Sequence, residues 1–181
     1  LVVRYTKPLY ESKSVLKLDI KKEASLLGLN PLDEEQSYDN LLSEIELLES
    51  RLFFNKILDA VNLDVSIYTI GDILIDERYK NAPFQVNYHL KNDRVYDVPF
   101  RVEVINSGEY NLSYTLEGKE HNSKHKFGEA INTGDFTVEL FLEPDYDPIS
   151  KDREFFFTIN SRHALLNYIE ENFNVQPLKL N

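Results

Sequence analysis

Between Pro83 and Leu142 apolar side chains recur at every second position in four separate runs and at no helical spacing, and this pattern constrains the chain more than any other. Phe84, Val86 and Tyr88 alternate with Gln85 and Asn87, and the same beat returns in Val98 to Val104, Tyr110 to Leu116 and Phe136 to Leu142. Successive side chains of a strand point to opposite faces, so each run covers one side of a sheet. Asn106-Ser107-Gly108 supplies turn chemistry between two runs, and Gly118 and Gly134 lie near other breaks. Four or five antiparallel strands are predicted, in two small packed layers or one curled sheet over residues 83–149.

The flanks read differently. In Ser14–Ile20 the residues Leu16, Leu18 and Ile20 share one face, which predicts a half-buried strand. Residues 21–36 lose the beat, and Gly28, Asn30, Pro31 and Asp33-Glu34-Glu35 predict a surface connection. Leu41, Ile45, Leu48 and Leu52 then recur at four, three and four residues, which predicts a helix running to Ala60 or Val61. Ser37 or Asn40 is its expected N-cap, Asp39 places negative charge near its start, and Glu44, Glu46 and Glu49 form its outer face. Val65–Tyr68 and Ile73–Ile75 are short apolar segments about Gly71-Asp72, which read as a strand and its continuation across a turn or as one irregular strand.

Beyond Pro144–Pro148 come a strand at Glu154–Ile159, a helix from about His163 to Glu171 capped by Ser161, and an extended stretch from Val175 to Leu180. The return of a helix after the β-rich stretch implies an α+β fold. A discontinuous α/β domain, residues 1–82 and 150–181, is interrupted by a β-rich inserted module at 83–149.

Charge and composition exclude several functions. Thirty-one acidic against twenty basic residues give a net charge of −11, which opposes binding to nucleic acid. With no cysteine there are no disulfides and no thiolate ligands. The longest apolar runs fall far short of the roughly 18 to 20 residues of a membrane span. His121 and His125 stand four apart in a segment that reads as a polar loop, without a third ligand, so no metal site is expected. No nucleotide-binding or nucleophile motif occurs, so no catalytic residue and no cofactor are expected. Eleven tyrosines and eleven phenylalanines leave two readings open: core packing, or sugar stacking at Tyr88, Tyr96, Tyr110, Tyr114 or Tyr146. The start at Leu1 and the absence of methionine suggest a portion of a longer protein.

Two segments carry a family likeness. Tyr5-Thr6-Lys7-Pro8-Leu9-Tyr10-Glu11-Ser12-Lys13-Ser14-Val15-Leu16-Lys17-Leu18 resembles the segment after the first transmembrane helix of the chain-length determinants of polysaccharide export, including members fused to bacterial tyrosine kinases. Leu41 to Leu52, continued by Lys56-Ile57 and Asn62-Leu63-Asp64, is similar to that family's first extracytoplasmic helix. The resemblance implies a periplasmic, membrane-proximal α/β sandwich domain of an inner-membrane protein. It implies a homo-oligomer in the full-length membrane form, partnered with polysaccharide assembly or export machinery, that regulates chain length or export without catalysis in this portion. Kinase motifs are absent here, and the stretch at 83–149 looks like an insertion carried by some forms of the family.

The residues singled out are Arg51, Glu44 and Leu48 as a subunit or structural contact, and Pro8, Tyr10 and Ser50 as family-like positions. A carbohydrate-binding module without an assembly role is the alternative, and a glycan-active enzyme a more distant one.

Overall fold

A computed structural model describes residues 10–17, 34–71, 74–79, 81–147 and 154–177. Among them the fold is α+β, with three α-helices and two antiparallel sheets. The helices are α1 (Glu34–Leu48), α2 (Arg51–Ala60) and α3 (Arg162–Asn172). The strands are β1 (Val65–Ile70), β2 (Ile75–Glu77), β3 (Phe84–Leu90), β4 (Phe100–Val104), β5 (Glu109–Leu116), β6 (Lys119–Lys126), β7 (Ile131–Asn132), β8 (Phe136–Leu142) and β9 (Glu154–Ile159). The described residues fall into two compact units, one holding those within 62–164, the other those within 10–61 and 165–177.

In the β-rich unit one sheet has the order β2-β1-β9-β4-β5-β6 and the other β3-β8-β7. The alternation predicted β3, β4, β5 and β8, and the inward members of the strands fill a shared core. Phe100, Val102, Tyr110, Leu112, Val138, Leu140 and Phe157 are buried there. Phe84 of the smaller sheet meets Phe155 and Phe157 of the larger one edge-on, with ring centroids 5.8 and 6.4 Å apart. Each fully buried ring of this kind contributes about 1.5 to 3 kcal/mol through removal from water.

The contact division differs from the boundaries at 83 and 149 for a definite reason. Strand β9 pairs with β1 through Val65↔Ile159 to Thr69↔Phe155, and on its other edge with β4 through Phe100↔Phe157 to Glu103↔Glu154. Its hydrogen bonds therefore join strands from both sides of residue 83 in one sheet. Asn160 reinforces the join by donating to the Leu63 carbonyl at 2.8 Å and to Ser66 Oγ at 3.0 Å.

Segment 119–126 is a strand, not the expected polar loop. Glu117 and Gly118, with φ of 50° and 76°, form the two-residue turn of a β5–β6 hairpin, in the left-handed backbone that such hairpins need. Arg94 of the 3₁₀ turn Asp93–Val95 holds the turn from the side by donating to Glu117, and it also donates to Asp135.

In the helical unit the predicted single helix is two. Helix α1 begins at Glu34, ahead of the expected caps, and the chain breaks at Glu49-Ser50. Ser50 Oγ accepts from the Phe53 N–H at 3.2 Å, capping α2. The same hydroxyl donates to the Leu47 carbonyl at 2.6 Å, which explains why a serine between two leucine turns ends one helix and starts the next. The start of α3 follows expectation, with Ser161 Oγ accepting from the Ala164 N–H at 3.1 Å. Residues 10–17 are exposed and without regular structure, so the strand predicted from Ser14 is not formed over Ser14–Lys17, and its remainder, 18–20, lies outside the described residues. Most of the connection at 21–36 and the last residues of the 175–180 stretch lie outside them too.

Candidate functional site

The residues singled out in sequence gather only in part. Pro8 lies outside the described residues, Tyr10 and Glu44 are exposed, and Leu48 is half-buried on α1. Glu49, Ser50 and Arg51 act together within the helical unit. Arg51 Nε donates to Glu170 Oε1 at 2.5 Å, while its Nη2 donates to Glu170 Oε2 at 3.2 Å and to Asn167 Oδ1 at 3.1 Å. This two-pronged pairing with Glu170 raises the Arg51 pKa. Glu49 Oε1 accepts the Val175 N–H at 2.9 Å, and Phe54 packs edge-on against Phe173 at 5.5 Å. Arg51, Glu49 and Phe54 thus fasten α2 and its start to the second half of α3 and the segment after it, while Ser50 between them caps α2. Arg51 is a structural contact within the chain.

The histidine pair does not converge. On strand β6, four residues at about 3.4 Å each separate His121 from His125 by roughly 14 Å. His121 stacks on Tyr114 at 4.7 Å, and His125 shares a 2.7 Å hydrogen bond with Ser123. Burial holds the His125 pKa below its ordinary value despite the opposing pull of Glu129. Among the described residues no group of three metal-ligating side chains gathers.

The tyrosines offered for sugar stacking are mostly committed elsewhere. Tyr110 is fully buried, and Tyr88, Tyr114 and Tyr146 pack against the core; Tyr96 is exposed. Burial, then Asp64 and Tyr96, raises the Tyr88 pKa, and burial raises that of Tyr110.

The outer face of the six-stranded sheet presents a different arrangement. Register aligns Glu77, Tyr68, Phe156, Arg101, Ser113 and Asn122 in one row across all six strands. At about 4.8 Å per strand this row spans roughly 24 Å. Tyr68 and Phe156 stack nearly parallel, with centroids 4.6 Å apart and planes at 12°. Beside Phe156 a shallow depression of about 330 Å³ is lined by Ile70, Pro99, Arg101, Ser113, Tyr114, Thr115, Glu120 and Phe156.

Much of the surrounding polar surface is internally paired. Arg101 donates to Glu154 at 3.1 Å, Asn111 to Glu103 at 2.9 Å, and Lys124 to Glu109 at 2.9 Å. The Lys124 and Asn106 hydrogen bonds hold the Glu109 carboxyl below its usual range. The hydroxyls of Ser113 and Thr115 make no hydrogen bond among the described residues. One half-buried aromatic ring therefore borders a trough with two available hydroxyls and the Glu120 carboxylate.

Of the tyrosines offered in sequence, Tyr114 lines this trough; Phe156 was missed because Phe155-Phe156-Phe157 reads as one apolar run. Parity was the available signal: with Phe155 and Phe157 inward, Phe156 must point outward.

No family model matches the sequence, and no curated protein matches it. Among solved structures, FlgL of Xanthomonas campestris is similar over 64% of this chain and 40% of its own, at 12% identity and a TM-score of 0.28. The chain thus spans less than half the length of that protein, and so slight a likeness carries no argument about fold or function. Among the described residues no helix is long and apolar enough to cross a membrane.

Proposed function

We propose that this chain is a non-catalytic extracytoplasmic scaffold of a polysaccharide co-polymerase or export protein, and that the outer face of its six-stranded sheet contacts the polymer. The observation that carries the contact is the row Tyr68-Phe156-Arg101-Ser113, with its trough beside Phe156. An aromatic ring flanked by hydroxyl and carboxylate groups suits a pyranose unit, which offers a C–H face for the ring and hydroxyls for the polar fringe. The resemblance at Pro8–Leu18 and Leu41–Arg51 supports the assembly role, a periplasmic position in an inner-membrane protein, and a homo-oligomer of the full-length form. In that oligomer Glu44 and the exposed side of α1 are the candidate subunit contact, since Arg51 is engaged with Glu170.

The same face also favours a second reading, a carbohydrate-binding module with no role in assembly. The two separate in cells. Removal of the whole protein is expected to change the length or amount of exported polysaccharide, and unchanged polymer would refute the assembly role. Saturable glycan binding by the isolated chain would then leave the binding module standing.

A further inference from the structure

We infer that the trough beside Phe156 accepts an uncharged stretch of glycan and discriminates against acidic sugars. This rests on the reading of the sheet face as a polymer contact and adds the class of ligand.

Charge on that face carries the argument. By strand parity its described positions include five carboxylates, at Glu77, Glu103, Glu109, Glu120 and Glu154, against three cations, at Arg101, Lys124 and Lys126. Two of the cations are neutralised at short range, Arg101 by Glu154 and Lys124 by Glu109. The third, Lys126, lies opposite Glu109 at the far end of the β5–β6 ladder, away from the trough. The trough itself contains one guanidinium, already paired, and the carboxylate of Glu120. Among the described residues that line the trough, a uronate or a phosphate-bearing sugar would meet the Glu120 carboxylate and an Arg101 already paired with Glu154, in the field of a chain of net charge −11.

A neutral pyranose meets no such opposition. Its C–H face lies on Phe156, and its hydroxyls can donate to Glu120 and exchange hydrogen bonds with Ser113 Oγ and Thr115 Oγ1. Binding through a ring face and hydroxyls is insensitive to salt, whereas the exclusion of acidic sugars weakens as salt screens it.

The test is calorimetric or NMR titration of the chain with two sets of oligosaccharides of equal length. One set is neutral (gluco- and manno-oligosaccharides), the other uronate-bearing (oligogalacturonate). At low salt the neutral set is expected to bind saturably and about tenfold tighter than the acidic set, with the gap narrowing as salt is added. Phe156→Ala should weaken the neutral set about tenfold. Because that substitution also removes the stacking partner of Tyr68, Thr115→Ala is the companion variant: it lies at an exposed position and should weaken binding about threefold with an unchanged melting temperature. Acidic oligosaccharides binding as tightly as neutral ones, with affinity that falls steeply with salt, would overturn the inference and leave the glycan contact intact. Absence of binding by both sets would overturn the contact together with the inference.

Discussion

The two units solve the problem of cohesion differently. In the β-rich unit the rings of Phe84, Phe100, Phe136 and Phe157 are sealed between two sheets, with exposures of 1% or less. In the helical unit Phe54 and Leu166 are the buried side chains among the described residues, and Leu42, Leu47 and Leu52 remain exposed. There a helix cap, a bidentate ion pair and one edge-on ring pair hold the elements. An apolar core is indifferent to salt and yields only to cavities; a polar clasp is sensitive to salt and pH and yields to single charge changes.

The largest expected effect breaks the first kind of cohesion. Phe157→Ala should cost about 3 to 5 kcal/mol, because its ring packs at 5.0 Å on Phe100 and edge-on to Phe84. A loss below about 1 kcal/mol in equilibrium denaturation would show that the two sheets do not share one core. Leu48→Ala should cost only about 1 kcal/mol, since the side chain is half-buried and its truncation leaves no sealed cavity. A loss above about 3 kcal/mol would move Leu48 into a core.

Tyr110→Phe sharpens the comparison from inside the β-rich unit. The phenolic oxygen is buried with no hydrogen-bond partner among the described residues. Removing it should be neutral or stabilising by up to about 1 kcal/mol, and a clear destabilisation would reveal a partner for the hydroxyl.

A smaller effect comes from His125. Its folded pKa lies below the unfolded value near 6.5, so the unfolded chain binds the proton more readily. The associated stability is complete above that value and is lost as pH falls through the unfolded and then the folded pKa. His125→Gln should flatten the fall in melting temperature below about pH 6.5, and an unchanged slope would contradict the burial of this ring.

In the helical unit Arg51→Glu should lower the melting temperature by an amount that shrinks with added salt. Glu170→Arg in the same chain should restore part of the loss. Failure of the double change to recover anything would mean that the Arg51–Glu170 pair makes no contribution.

How far the sequence foretold this arrangement varied with what each segment buries. Strands β3, β4, β5 and β8 were legible because each lays one face on the shared core. Strand β6 was not, because Lys119–Lys126 carries no aliphatic or phenyl side chain and its pairing with β5 lives in the backbone; the two-residue Glu117-Gly118 turn was the readable cue. The break between α1 and α2 hid inside a leucine stripe, where only Ser50 announced a cap. Leu16 in its alternating segment shows the converse, since periodicity proposes a face and only a partner surface makes a strand of it. For the candidate site, the inward tyrosines drew attention by their number, while the outward Phe156 was masked by its two inward neighbours.

In the proposed reading the six-stranded sheet meets the polymer with its outer face, while Phe100, Val102 and Phe157 on its inner face hold the fold. Backbone chemical-shift mapping during titration with neutral oligosaccharide tests it most directly. Changes are expected to saturate together at Phe156, Arg101, Ser113, Thr115 and Glu120, with Leu112, Val138 and the helices α1 and α2 unmoved. Changes centred on α1 or α2, or no saturable change anywhere, would contradict it.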